Sequence, residues 1–208
     1  MQTFAILPAA GRSQRMGRPK LLLPWGDGTV LSQVLGAWRA SRVSRVLLVV
    51  HPADDAVAEL GGKLGASVVR AKSPPAEMKD SVALGLAEVA RQFAPTAADA
   101  WLVAPADMPL VTPAMVDSVV AAYEVGRKSP AAAETIYTAA ISGKRGHPVL
   151  FPWPLAAEVE RLAGSEGLNT IVARHPVIEV EVASAEGSTP FADLDTPEDY
   201  HRLRPGDR

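Results

Sequence analysis

The amino-acid sequence predicts an α/β protein built on a mostly parallel sheet, and three observations support this. Short continuous apolar runs occupy residues 4–7, 46–50 and 101–104, as in strands covered on both faces. Segments with apolar residues at helical spacing lie between these runs. Strands that alternate with helices are joined by right-handed crossovers, which place successive strands parallel in one sheet.

The elements of the first half follow from their local patterns. Leu31, Val34, Leu35 and Trp38 recur at helical spacing and predict a helix over 30–40. Further helices are predicted at 53–64, 79–93 and 113–123, and a further short strand at 67–70.

Beyond residue 126 the alternation is less regular. Strands are predicted at 135–141 and 147–151, and residues 177–182 alternate like a strand with one solvated face. Thr196 as N-cap and Pro197 at the first helical position predict a final helix. The expected organisation is a single domain over 1–203, followed by a frayed tail at 204–208.

Composition excludes several classes of function. The chain has 208 residues, of which 48% are hydrophobic and 21% charged, and its net charge of −2 gives no general attraction to nucleic acid or membranes. It has no cysteine, which excludes disulfides, thiolate metal sites and cysteine nucleophiles. It shows no secretory signal and no apolar run near the roughly 20 residues that span a bilayer. A cytoplasmic location is therefore expected, with no membrane or nucleic-acid partner.

The most informative segment is a basic, glycine-containing loop after the first strand, LPAAGRSQRMGRPK at residues 7–20. Four cations lie in it before any acidic residue occurs: Arg12, Arg15, Arg18 and Lys20. Exposed backbone N–H groups and several cations in a tight loop suit a polyphosphate. The loop predicts nucleotide binding, with Arg18 interpreted as a surface charge.

Other phosphate and nucleophile motifs do not fit this loop. The G-x-G-x-x-G fingerprint is absent, Lys20 precedes leucine rather than the serine or threonine of a P-loop, and Arg15 stands where a nucleophile elbow needs its second glycine. What remains is L-x-A-A-G-x-S-x-R-M-G-x-P-K, followed by L-L-L-P. It resembles the loop of nucleoside-triphosphate transferases, most closely the molybdenum cofactor cytidylyltransferase family.

This resemblance implies a Rossmann-like nucleotidyltransferase fold with three α/β/α layers around a mostly parallel mixed sheet. It also implies transfer of a nucleoside monophosphate from a triphosphate to a phosphate on the acceptor, with release of pyrophosphate. Arg15 and Lys20 would hold the β- and γ-phosphates and offset charge on the departing pyrophosphate. The implied nucleotide-binding residues are Leu7, Ala9, Ala10, Gly11, Arg12, Ser13, Met78 and Ser81.

Carboxylates for Mg²⁺ are expected at two places. Asp107 follows a buried strand in WLVAPADMP, and ligands of open α/β sheets bind beyond the carboxyl ends of strands. The resembled family has Gly-Asp-Met-Pro there, whereas this chain has Ala106 for the glycine. Helix capping leaves Asp193 and Asp195 unexplained, and the resemblance implies a second metal carboxylate among them, with Asp193 preferred. Arg15, Lys20 and Asp107 form the implied catalytic set.

Two further segments match the family. Residues 77–86, EMKDSVALGL, resemble G-M-x-x-S-L-x-x-G-L with a glutamate in place of the first glycine, which places Met78 and Ser81 near the base and sugar. Residues 143–151, GKRGHPVLF, match G-x-x-G-H-P-V-L-F, and Lys144 and His147 are the implied acceptor-binding residues. A structural hydrogen-bonding role for the histidine is the alternative.

The reading favoured by the resemblance is transfer of CMP from CTP to a molybdopterin-type cofactor, whose product would pass to a molybdoenzyme. The Ala9-Ala10-Gly11 start favours the cytidylyl branch, because the guanylyl branch usually has Ala-Gly-Gly. Three alternatives remain open. They are a guanylyltransferase on the same cofactor, a cytidylyltransferase on an isoprenoid or sugar phosphate, and a non-catalytic protein that carries the cofactor.

Overall fold

A computed structural model of the chain describes residues 1–11, 16, 19–129, 133–183 and 191–206. Its strands are β1 (Thr3–Ala9), β2 (Pro24–Trp25), β3 (Gly28–Thr29), β4 (Arg45–Val50), β5 (Ser67–Arg70), β6 (Ala100–Val103), β7 (Ile136–Ile141), β8 (Lys144–Pro152) and β9 (Val177–Glu181). Its helices are α1 (Val30–Arg39), α2 (Asp55–Lys63), α3 (Met78–Phe93), α4 (Pro113–Gly126), α5 (Ala156–Val159), α6 (Leu168–Arg174) and α7 (Pro197–Leu203). Short 3₁₀ helices occupy Lys20–Leu22 and Trp153–Leu155.

Seven strands form one mixed sheet in the order β5-β4-β1-β6-β8-β7-β9, while β2 and β3 form a small hairpin. The neighbours β5, β4, β1 and β6 are parallel, and β9 is parallel to β7. Only β8 runs against both of its neighbours in this sheet. The mostly parallel mixed sheet expected from the sequence is confirmed.

Alternate residues of β1 enter two separate cores. Ala5 and Leu7 face the cluster that α1, α2 and α4 cover, whereas Phe4 and Ile6 face the cluster under α3, α5 and α6. Every one of these four residues is fully buried. A central strand buried on both faces needs helices on both sides, which gives the three-layer α/β/α arrangement.

Local sequence fixes several helix starts. The side chains of Thr29, Asp54, Thr112 and Thr196 each accept a hydrogen bond from the third residue of the helix that follows. Such N-caps satisfy backbone donors that have no partner within the helix. The start of α7 at Thr196 and Pro197 is confirmed.

Three features depart from the sequence expectation: the hairpin of β2 and β3, and the helices α5 and α6. Each is short, with two to seven residues per element, so hydrophobic periodicity is too brief to detect. In α6 only Leu168 and Ile171 are buried. No helix in the described ranges has the length and apolar character needed to cross a membrane.

Candidate active site

The topology brings the loops after β1 and β6 together. These strands are parallel neighbours, so their carboxyl ends meet at one edge of the sheet. The Ala106 N–H donates to the Pro8 carbonyl at 3.1 Å, which joins the loop after β6 to the end of β1. Residues 8–11, 75–78 and 105–107, with Lys20 and Ser81, surround a pocket of about 240 Å³. We call it the first pocket.

Most of the described residues expected to bind the nucleotide lie at this pocket. Its walls include Ala9, Ala10, Gly11, Met78 and Ser81. A Cβ built on Gly11 would meet no atom of the described residues within 4 Å. Packing among the described residues therefore does not require this glycine, and its small size leaves room for a ligand to approach.

Other residues of the expected nucleotide set are placed differently. Leu7 is fully buried and pairs with Leu48 in the sheet, so its side chain belongs to the core below the first pocket. Arg12, Ser13 and Arg15 lie outside the described residues.

The start of α3 accommodates the glutamate that replaces the family glycine. Glu77 is the N-cap, with extended backbone dihedral angles, and the Asp80 carboxylate accepts from the Ala76 and Glu77 N–H groups at 3.0 and 2.9 Å. About two turns later, a Cβ on Gly85 would lie 2.7 Å from Ile6 Cγ2. Gly85 therefore allows α3 to pack closely on β1, while the helix start faces the pocket.

Two carboxylates converge on the ammonium group of Lys20. Its Nζ donates to Asp107 Oδ2 and lies 3.4 Å from Asp195 Oδ1. The segment carrying Asp195 is held in place because the Leu194 N–H donates to the Asp107 carbonyl at 3.1 Å, and the Leu194 side chain is fully buried. Asp193 is exposed and lines a different pocket.

The donor set at this position suits a hard divalent cation. Asp107 Oδ1 is buried and has no hydrogen-bond partner among the described residues. A buried carboxylate oxygen without a hydrogen-bond partner lowers the stability of the fold unless a ligand binds to it. No cluster of three or more His, Cys, Asp or Glu side chains that could hold a metal occurs within the described ranges. Mg²⁺ needs no such cluster, because it is commonly held by one or two carboxylates together with substrate phosphates and water.

A second pocket of about 360 Å³ lies beside the first, and Pro105 lines both. Its walls include Arg145 and His147 of β8, Asn169 of α6, and Asp193. Phe191 adds an aromatic wall. This second pocket combines a cation, an imidazole, an amide and a ring, which suits a polar, partly aromatic ligand.

Burial favours the neutral form of the His147 imidazole. Burial lowers its pKa, although the hydrogen bond to Val103 and the charges of Asp107 and Asp193 act in the opposite direction. Its Nδ1 lies 3.2 Å from the Val103 carbonyl oxygen, which can only accept, so Nδ1 carries the proton. Nε2 is therefore the acceptor nitrogen of this ring.

The basic turn before His147 divides into two faces. Lys144 is exposed, pairs with Ile141 across the hairpin, and lines neither pocket. Arg145 lines the second pocket and donates to Glu179 Oε1 at 2.8 Å. Arg145 therefore shares the second pocket with His147, whereas Lys144 does not. The pairing of β7 with β8 is irregular between Arg145 and Val149, so no sequence pattern separated Arg145 from Lys144, and none indicated Asn169 or Phe191.

Comparison with protein families agrees with this architecture. The family model described as the MobA-like NTP transferase domain matches residues 5–180. Among curated proteins, 2-C-methyl-D-erythritol 4-phosphate cytidylyltransferase of Cereibacter sphaeroides (strain ATCC 17029 / ATH 2.4.9) is 50% identical over 62 residues, 28% of each chain. The match thus spans less than a third of that relative's length. Purine catabolism protein PucB of Bacillus subtilis (strain 168) is 25% identical over 208 residues, 97% of this chain and 95% of that protein.

Comparison with solved structures also shows similarity over nearly the whole chain. Rv0371c from Mycobacterium tuberculosis H37Rv is 31% identical, with a TM-score of 0.77 and 97% coverage of both chains. A structure of Rv0371c in complex with manganese has a TM-score of 0.74 at 30% identity, with 98% of both chains covered.

Proposed function

We propose that this chain, which belongs to the MobA-like NTP transferase family, is a nucleotidyltransferase that transfers CMP from CTP to a phosphate of a molybdopterin-type cofactor. The observation that carries this proposal is the convergence of Lys20, Asp107 and Asp195 at the first pocket, which shares Pro105 with the second. The first pocket would hold CTP and the second the acceptor, so the reacting phosphates would meet at the carboxylates.

In the proposed reaction an oxygen of the acceptor phosphate attacks the α-phosphorus of CTP. A new P–O bond forms, the bond from the α-phosphorus to the bridging oxygen breaks, and pyrophosphate leaves with that electron pair. The attacking phosphate is already anionic near neutral pH, so no side-chain base is needed. Positioning and charge neutralisation supply the catalysis.

The residues of the two loops have separate tasks. Backbone N–H groups of residues 9–11 would bind the phosphates, and the Lys20 ammonium would offset charge on the departing pyrophosphate. Asp107 and Asp195 would hold Mg²⁺, which when bound supplies positive charge to the phosphate oxygens. The manganese complex of Rv0371c supports a divalent ion in this type of protein.

The second pocket offers groups for a phosphorylated heterocycle. His147 Nε2 can accept a hydrogen bond from a ring N–H, and the Arg145 guanidinium can bind phosphate. Phe191 offers a surface on which a planar ring can stack. These features support molybdopterin as acceptor.

A second candidate is cytidylyl transfer to an isoprenoid phosphate. It is favoured by the 50% identity over 62 residues to the methylerythritol phosphate cytidylyltransferase of Cereibacter sphaeroides. Both candidates use CTP and differ in the acceptor.

Calorimetric titration with CTP, GTP and ATP, each with Mg²⁺, tests the nucleotide half of the proposal. We expect selective CTP binding that is weakened in Asp107→Ala. The control is Asp55→Ala, since Asp55 is an exposed carboxylate at the start of α2, far along the chain from both loops. Selective GTP binding would favour guanylyl transfer over cytidylyl transfer. Failure to bind any nucleotide would contradict the proposal.

A further inference from the structure

Lys79 is a buried cation that the proposed chemistry does not use. It lies in the first turn of α3 and is only 9% exposed. Its ammonium donates to the carbonyl oxygens of Ala163, Gly164 and Glu166, the last two at 2.8 and 2.6 Å. An ammonium has three N–H donors, so these three carbonyls account for all of them.

The carbonyls belong to the segment that connects α5 to α6. This segment is also tied by the Glu166 side chain, which accepts from the Ala163 N–H at 2.8 Å and from Arg174 at 2.5 Å. Immediately after it, Asn169 and Val172 of α6 line the second pocket. Lys79 therefore binds the segment that leads into α6, the helix that forms one wall of the second pocket.

In the chain, the same lysine directly follows two residues of the first pocket. Glu77 and Met78 line it, and Glu77 Oε2 is 3.6 Å from the Lys79 ammonium, whereas Lys79 itself is not among the lining residues. Its position along α3 alone would suggest a role in nucleotide binding. Its contacts point across the molecule to the wall of the second pocket.

We propose that Lys79 is a positioning residue for the acceptor, acting through the segment 163–166 and α6; this inference rests on the proposed function. Without the ammonium, three carbonyl oxygens lose a charged donor, and such hydrogen bonds are among the strong ones. The segment would relax, and Asn169 and Val172 would lose their fixed position. The helix backbone would still hold Met78 and Ser81 at the nucleotide.

The test compares Lys79→Met with wild type in two assays. Methionine keeps the length and apolar stem of the side chain and removes the ammonium. We expect the acceptor KM to rise about tenfold, while the Kd for CTP changes less than about twofold. Met78→Ala, which changes the adjacent residue, should raise the Kd for CTP and leave the acceptor KM nearly unchanged. Lys63→Met changes an exposed lysine on α2 and should alter neither value.

Hydrogen exchange gives a readout that needs no substrate. In Lys79→Met, amides of residues 163–172 should exchange faster, whereas those of 82–92 in α3 should be unchanged. If Lys79→Met does not fold, Lys79→Arg, which keeps a cation, takes its place and should show the same two effects in weaker form.

Loss of CTP affinity with an unchanged acceptor KM would overturn the proposal, as would unchanged exchange over 163–172. If wild-type protein turns over neither molybdopterin nor the isoprenoid phosphate, the proposed function is wrong. The exchange measurement then still shows whether Lys79 holds the wall of the second pocket.

Discussion

Charge balance at single residues organises the candidate site. Lys20 pairs with both Asp107 and Asp195 and offsets one of their two negative charges, which reduces the repulsion between the carboxylates. Lys20 and Asp107 could be identified from the sequence because each stands at a fixed place in a long motif. Asp193 and Asp195 could not be separated, because residues two apart on an extended segment share one side. A tertiary hydrogen bond, from the Leu194 N–H to the Asp107 carbonyl, places Asp195 beside Lys20.

Asp107→Asn should abolish turnover while the fold persists. The amide keeps the shape of the side chain but loses the charge that pairs with Lys20 and would hold a cation. We expect a loss of at least about 10²-fold in kcat, as for removal of a central electrostatic group. Steady-state pyrophosphate release measures the loss, and circular dichroism checks the fold against Asp55→Asn. Activity equal to wild type would remove Asp107 from the catalytic set.

Lys20→Ala should weaken CTP binding more than acceptor binding. The proposed partner of its ammonium is the phosphate chain that departs, so we expect about a tenfold or greater rise in the Kd for CTP. The acceptor KM should change by less than about threefold. Calorimetry gives the first value and steady-state kinetics the second. Equal losses on both sides would contradict this assignment.

At the scale of elements, packing explains both what the sequence predicted and what it missed. β1, β4 and β6 were predictable because continuous apolar runs have few other uses in a chain of this composition. The helix α6 was not, because only Leu168 and Ile171 mark its buried face. The segment before it is held instead by Lys79, which binds its carbonyls from 84 to 87 positions away along the chain.

Close packing of α3 on the sheet can be tested with two glycines. Gly85→Ala should lower the free energy of unfolding by about 1–3 kcal/mol, because the new Cβ would lie 2.7 Å from Ile6 Cγ2 and 3.3 Å from Val49 Cγ2. A Cβ added at Gly62 of α2 would meet no atom of the described residues outside its own helix within 4 Å, so Gly62→Ala should raise the free energy of unfolding by about 0.5–1 kcal/mol through helix propensity. Urea unfolding of both variants gives the comparison. A stabilised Gly85→Ala variant would show that this contact is not tight.

Asp99 links the residues just before β1 and β6, and its titration should make the stability of this contact depend on pH. Burial acts to raise the pKa of its carboxyl, but hydrogen bonds from Thr96 and from the Gln2 N–H outweigh it and lower the pKa below 3.8. A lowered pKa means that the folded state favours the charged form. The stabilisation is therefore complete above about pH 3.8, the unfolded value, and is lost as the pH falls through the folded value.

Asp99→Asn should accordingly cost stability at pH 7 and progressively less as the pH falls below about 3.8. Denaturant unfolding of both proteins at pH 7, 5 and 3 measures the difference. A difference that stays constant down to pH 3 would contradict the lowered pKa.

For the whole molecule, the sheet order determines where chemistry is possible. The first pocket lies at the carboxyl ends of β1 and β6, which sequence patterns located through the loops that follow them. The second pocket is assembled from β7, β8, α6 and residues 191–193, which are dispersed over the second half of the chain. Nucleotide chemistry was therefore predictable from local motifs. The shape of the acceptor site depends on long-range packing, in which β8 lies antiparallel to both neighbouring strands.

The most direct measurement is pyrophosphate release by wild-type protein with Mg²⁺, pairing CTP or GTP with molybdopterin or 2-C-methyl-D-erythritol 4-phosphate. The proposed function predicts release that requires both CTP and molybdopterin and is lost in Asp107→Asn. Release with methylerythritol phosphate alone would favour the second candidate, and release with GTP alone would favour a guanylyltransferase. Absence of release from every combination, by protein shown to be folded, would contradict the account.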